Sequence, residues 1–101
     1  RMMVQSEVED AMRRIQETHK SVIGVIVTNN DGITLRSTLN ETSTNYASIV
    51  TQIVEKARMA LKDNDELTFL KIRTKKTEFI VVPDKDYILI TLLNPSIESN
   101  A

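Results

Sequence analysis

Three strand-like segments of this chain are apolar on both faces, and only two helical segments are available to cover them. Val22-Ile23-Gly24-Val25-Ile26-Val27 is the first; residues 79–82 and Tyr87-Ile88-Leu89-Ile90-Thr91-Leu92-Leu93 are the others. A strand with one solvated face alternates apolar with polar residues. Unbroken apolar runs of this length mark strands covered on both sides. The chain thus describes a sheet that needs more cover than it carries, which points to assembly with other chains and not to catalysis.

Composition bounds the class. A length of 101 residues fits a single domain, 1–101, with ends 1–5 and 96–101 read as flexible. Thirteen Lys and Arg against fourteen Asp and Glu leave no global field to attract nucleic acid or an anionic membrane. With no cysteine there is neither a disulfide framework nor a thiolate site, a usage that suits the cytosol. No apolar run approaches the ~20 residues of a membrane-spanning helix. Arg1-Met2-Met3 lacks the charged-then-apolar plan of a signal peptide.

The first helix is expected to open at Ser6, which has capping-box spacing to Glu9, and to end near His19. Val8, Ala11, Met12 and Ile15 recur at three- and four-residue steps as a narrow apolar stripe. The second helix is expected over 44–62. Its apolar residues, from Tyr46 and Ala47 through Ile49, Val50, Ile53, Val54 and Ala57 to Ala60 and Leu61, fill an arc of roughly 160°. A helix lying on one sheet needs only about 100°. The excess predicts a second contact, with Ile49, Ile53, Ala57 and Ala60 lining a seam with a neighbour. Ser48, Thr51, Glu55, Arg58 and Lys62 are assigned to the wet face.

Asn29-Asn30-Asp31-Gly32 is a hairpin signal, with Gly32 suited to positive φ. It leads into a second strand, 33–38, apolar on one side at Ile33 and Leu35. The third strand is expected over 67–74, with Lys71 and Arg73 sharing a face with Leu67 and Phe69, while Leu70 and Ile72 point the other way. Doubly apolar strands belong in the middle and half-polar ones at the edges, and hairpin neighbours stay adjacent. One order satisfies this: a mostly antiparallel five-stranded sheet, 2-1-5-4-3, in an α-β-β-α-β-β-β chain with a helix on each face. Five strands at ~4.8 Å span roughly 24 Å, and one helix covers about 10–12 Å of that. Each face stays about half bare. The polar tail from Asn94 offers Ile97 alone as a large apolar residue.

No catalytic set is supported. His19 is the only histidine and reads as a cap or packing residue at a helix end. No Ser-His-acid arrangement or phosphate loop is present, and no cofactor or metal is expected. Asp63-Asn64-Asp65-Glu66 resembles an oxygen-rich calcium loop, but Thr68 and Thr74 stand where an EF-hand needs glycine and glutamate. Asn40-Glu41-Thr42 is a glycosylation sequon with no secretory context. Lys71, Arg73, Lys75 and Lys76 form the one basic cluster. Its nearest aromatics, Phe69 and Phe79, are assigned to the core, so it lacks the stacking platform of a single-strand nucleic-acid groove.

Several stretches resemble the roadblock/LC7 light chains of cytoplasmic and axonemal dynein. They are 67–78, continuing through Val82-Pro83-Asp84-Lys85-Asp86-Tyr87 to Asn94-Pro95; Asn29 to Ile33 with Arg36-Ser37-Thr38; Tyr46-Ala47-Ser48 with Lys56-Ala57-Arg58; and Val8-Glu9 with Arg14-Ile15-Gln16. Thr34, where the dynein members carry proline, and the short 63–66 connection depart from the pattern. The resemblance implies a profilin-like α/β sandwich that forms homodimers, with second helices antiparallel and third strands paired. Leu67, Phe69 and Lys71 then join Ile49, Ile53, Ala57 and Ala60 at the dimer interface. It also implies a non-catalytic subunit of the dynein complex, binding the dynein intermediate chain in microtubule-based transport, with no nucleic acid and no direct membrane contact. The expected location is cytoplasmic and cytoskeleton-associated, the axoneme included. The bare face beside the first helix, at Val8, Met12 and Ile15, is the expected dock for a partner segment, with Lys71, Arg73 and Lys75 steering its acidic part. The alternative is a roadblock-type scaffold that binds or regulates a small GTPase.

Overall fold

A computed structural model describes residues 5–40, 43–61 and 63–96. The chain order is α1 (Gln5–Thr18), β1 (Val22–Asn29), β2 (Thr34–Ser37), α2 (Ser43–Ala60), β3 (Leu70–Arg73), β4 (Glu78–Pro83) and β5 (Tyr87–Leu93). The strands form one antiparallel sheet in the order β2-β1-β5-β4-β3, as the burial pattern of the sequence requires. The Ser6 hydroxyl of the expected capping box, Glu41 and Thr42 of the sequon, Lys62 and Ile97 lie outside the described residues.

The two faces are covered unequally. On one, Ala47, Val50 and Val54 of α2 gather with Ile26, Val81, Ile88, Ile90 and Leu92 into one buried cluster. Phe79 lies against Tyr46 there, ring centroids 5.4 Å apart. On the other, Val8 and Met12 of α1 cover Val25 and Val27. Along β5 the residues toward α2 (Ile88, Ile90, Leu92) are buried, whereas those toward α1 (Tyr87, Leu89, Thr91, Leu93) are half-buried. The α1 side is therefore the barer side of a sheet built to be covered twice.

Local chemistry sets the turns. Asn29 Oδ1 accepts from the amides of Asp31 (2.9 Å) and Ile33 (3.0 Å), and Gly32 takes φ +84°. A Cβ on Gly32 would lie 3.3 Å from Ser48 Cα and 3.4 Å from Thr51 Oγ1, so glycine also lets this turn rest on α2. That corrects the assignment of Thr51 to the wet face: it is buried, and its hydroxyl donates to the Ala47 carbonyl at 2.7 Å. Asn30 Nδ2 donates to the Lys85 carbonyl at 2.8 Å, tying the two hairpin tips together.

Two strands depart from expectation. Ile23 is exposed because a register shift between Val22 and Gly24 turns it away from the core. The third strand begins at Leu70 and not at Leu67. Backbone groups alternate in direction along a strand. The Asp84 amide donates to Tyr87 on the β5 side, and the Thr77 carbonyl accepts from Thr74 on the β3 side. Pro83 therefore has its missing donor on the β3 side, and the ladder stops there. Leu67, released from the strand, packs against the α2-side cluster and does not share a face with Lys71.

The asymmetry has a measurable consequence. Ile90→Ala, at a fully buried site, is expected to cost about 2–5 kcal/mol. Val82→Thr, on the open face, should stay within about 0.5 kcal/mol. Denaturant unfolding of the two variants checks the difference.

Candidate functional site

The described surface offers two apolar regions and one charged cluster. The first region is the outer margin of α2. Its buried margin (Ala47, Val50, Val54) lies on the sheet, while Ile49 and Ile53 remain 58% and 38% exposed. Ala57 lies between the margins, half-buried, and Ala60 is exposed. The wide arc is thus split as the sequence suggests, with one half used and one half open. Fully burying an isoleucine contributes about 1.5–3 kcal/mol, and the part that belongs to their exposed surface is open to Ile49 and Ile53. Met59, also exposed, was not singled out by periodicity because it falls outside the arc. Phe69 is 56% exposed, which corrects its assignment to the core. It precedes the shortened strand.

The second region is a groove beside α1, enclosing about 200 Å³ and lined by Val8, Ala11, Met12, Ile15, Val27, Val82, Tyr87 and Leu89, with Asp84 as the one charged lining residue. Val8 and Met12 are already buried against the sheet, so they form its wall. The open area comes from Val82, 40% exposed, and from half-buried Ile15, Tyr87 and Leu89. The sequence signal for these residues was the double-sided apolarity of β4 and β5.

The charged cluster sits on β3 and β4. Arg73 opposes Glu78 in the ladder. Glu78 Oε2 accepts from Arg73 Nη2 at 2.6 Å and from Nε at 2.9 Å, and Oε1 lies 3.1 Å from Lys71 Nζ. Glu78 is 5% exposed. Hydrogen bonds from Arg73, then from Lys71, hold its carboxyl below the usual glutamate range, against the desolvation that would raise it. Lys71 and Arg73 thus come paired to one acid, a link that sequence reasoning missed. Lys75 stands apart, exposed in the β3–β4 turn.

Other sequence candidates fall away from these surfaces. His19 is exposed and does not pack; its amide donates to the Ile15 carbonyl at 3.1 Å, so the backbone closes that helix end. Asp63, Asp65 and Glu66 are exposed around an open depression with Arg58, Asp84 and Lys85. Among the described residues no group of three His, Cys, Asp or Glu side chains is placed to hold a metal. Among them, too, no helix is long and apolar enough to cross a membrane.

A single antiparallel sheet with one helix on each face, an open edge and bare apolar margins defines a small α/β domain. The Roadblock/LC7 domain pattern matches residues 8–94, and the chain belongs to that family. The fold is similar to MglB of Myxococcus xanthus, with a TM-score of 0.77 at 14% identity over 93% of this chain and 80% of that one. It is also similar to a Roadblock/LC7 domain from Streptomyces avermitilis, with a TM-score of 0.71 at 11% identity over 82% and 74%. A third likeness is to an MglB with a tetrameric arrangement, with a TM-score of 0.71 at 11% identity over 94% and 78%. At these identities the likeness bears on the fold alone.

The lowered pKa of Glu78 fixes the sign of one pH effect. A carboxyl whose folded pKa is depressed stabilises the fold above its unfolded pKa, and this contribution is lost as pH falls through the folded value. Urea midpoints measured from neutral pH into the acid range are expected to fall. In Glu78→Gln the part of that fall due to this carboxyl should be absent.

Proposed function

We propose that this chain is a non-catalytic, roadblock-type scaffold that works as a homodimer and binds or regulates a small GTPase. The observation that carries the reading is the uncovered apolar margin of α2, at Ile49 and Ile53, together with the unpaired edge of β3. A second copy supplies both missing partners at once, a helix for the margin and a strand for the edge. Self-association also fits the tetrameric arrangement of one structural neighbour. The preference for a GTPase over a motor subunit draws on the neighbours described above, which are MglB and Roadblock/LC7 domain structures and not dynein subunits. The proposed location is the cytoplasm.

A second reading is a dynein light chain holding the intermediate chain. The groove beside α1 favours it, since a narrow apolar trough suits an amphipathic helix of an elongated partner. A folded GTPase would instead need a broad surface.

Two measurements test these readings. Ile53→Lys places a charge in the proposed seam, and sedimentation should show monomer where the wild type is dimeric at micromolar concentration. A monomeric wild type would contradict the homodimer. Capture of partners with the tagged chain, read by mass spectrometry, is expected to return a small GTPase. Recovery of an intermediate chain in its place would move the assignment to dynein. Val82→Lys should then abolish that recovery while leaving the dimer intact.

A further inference from the structure

We infer that Glu78 is the group that neutralises Lys71 and Arg73 so that two copies of β3 can pair edge to edge; the inference rests on the homodimer proposed above. The geometry starts from the ladder. The Thr74 amide donates to the Thr77 carbonyl at 2.8 Å, so the even-numbered residues of β3 turn their backbone groups toward β4. Those of Lys71 and Arg73 turn to the open edge. The residues available for pairing are therefore the ones that carry the cations.

Symmetry then decides what they meet. A two-fold axis normal to the sheet keeps both α1 helices on one side, and antiparallel partners must share a face. With pairing confined to Leu70–Arg73, Lys71 can thus stand opposite only its own copy or Arg73 of the other copy. Like charges directly opposite one another weaken an antiparallel pair. Glu78 lies within 3.1 Å of Lys71 and 2.6 Å of Arg73. It is held in place before any second copy arrives, opposite Arg73 on one side and Leu93 on the other. One acid per copy leaves the seam with two uncompensated positive charges where it would otherwise have four.

A staple that merely holds the β3–β4 hairpin would use the same contacts, but it would respond differently to salt. In the full chain, Glu78→Gln is expected to associate about tenfold more weakly than wild type in sedimentation equilibrium at about 0.05 M salt. Most of that loss should be recovered at about 0.5 M salt, where facing charges are screened. Lys71→Gln, which takes the seam to neutrality and leaves Glu78 with Arg73, is expected to associate more tightly than wild type at low salt. Unchanged association of Glu78→Gln at low salt, or a weakening that high salt does not relieve, would overturn the inference. So would weaker or unchanged association of Lys71→Gln, a result that decides even if Glu78→Gln does not fold. A monomeric wild type would overturn the homodimer and this inference together; a dimeric wild type with salt-insensitive variants would overturn this inference alone.

Discussion

A sheet about 24 Å wide cannot be covered by one helix of about 10–12 Å on each face, and this mismatch organises the molecule. The apolar runs of β1, β4 and β5 commit both faces to burial. The α2 face resolves most of its share, with Ile88, Ile90 and Leu92 buried. The α1 face does not, and Val82 stays open beside a groove. Part of the remaining apolar surface lies on the outer margin of α2 and beside α1, where a further helix could rest in each case.

The open edge is a related problem. An exposed strand invites unwanted pairing, and charged side chains are a common guard against it. Here β3 is four residues long, ended at one side by Pro83 across the ladder, and it alternates Leu70 and Ile72 with Lys71 and Arg73. Those two cations would repel a second copy if left alone. In the proposed dimer, their contact with Glu78 moderates the guard without removing it.

Much of this could be read in the amino-acid sequence, for a physical reason. Strand order followed from burial because a doubly apolar strand cannot sit at an edge, and hairpin connections left one arrangement. The division of α2 into a buried and an open margin followed from the width of its arc. What escaped were effects that depend on which neighbour a residue meets. Pro83 shortens β3, a strand earlier in the chain, because its missing donor faces β3. Thr51 is buried because Gly32 arrives over it. Glu78 is the acid shared by Lys71 and Arg73, which pairing across the ladder brings to it. The family could be read from several short stretches together, while the partner is a property of surfaces whose occupants the sequence does not encode.

The central claim is that the sheet is completed by a second copy across β3. Hydrogen exchange of the Lys71 and Arg73 amides, followed as protein concentration is raised, tests it most directly. Their backbone groups face the open edge of the described sheet, so protection that grows with concentration must come from another molecule. The account predicts slow exchange at both amides, with protection that grows with concentration. Fast exchange at both, unchanged over the same concentrations, would contradict it.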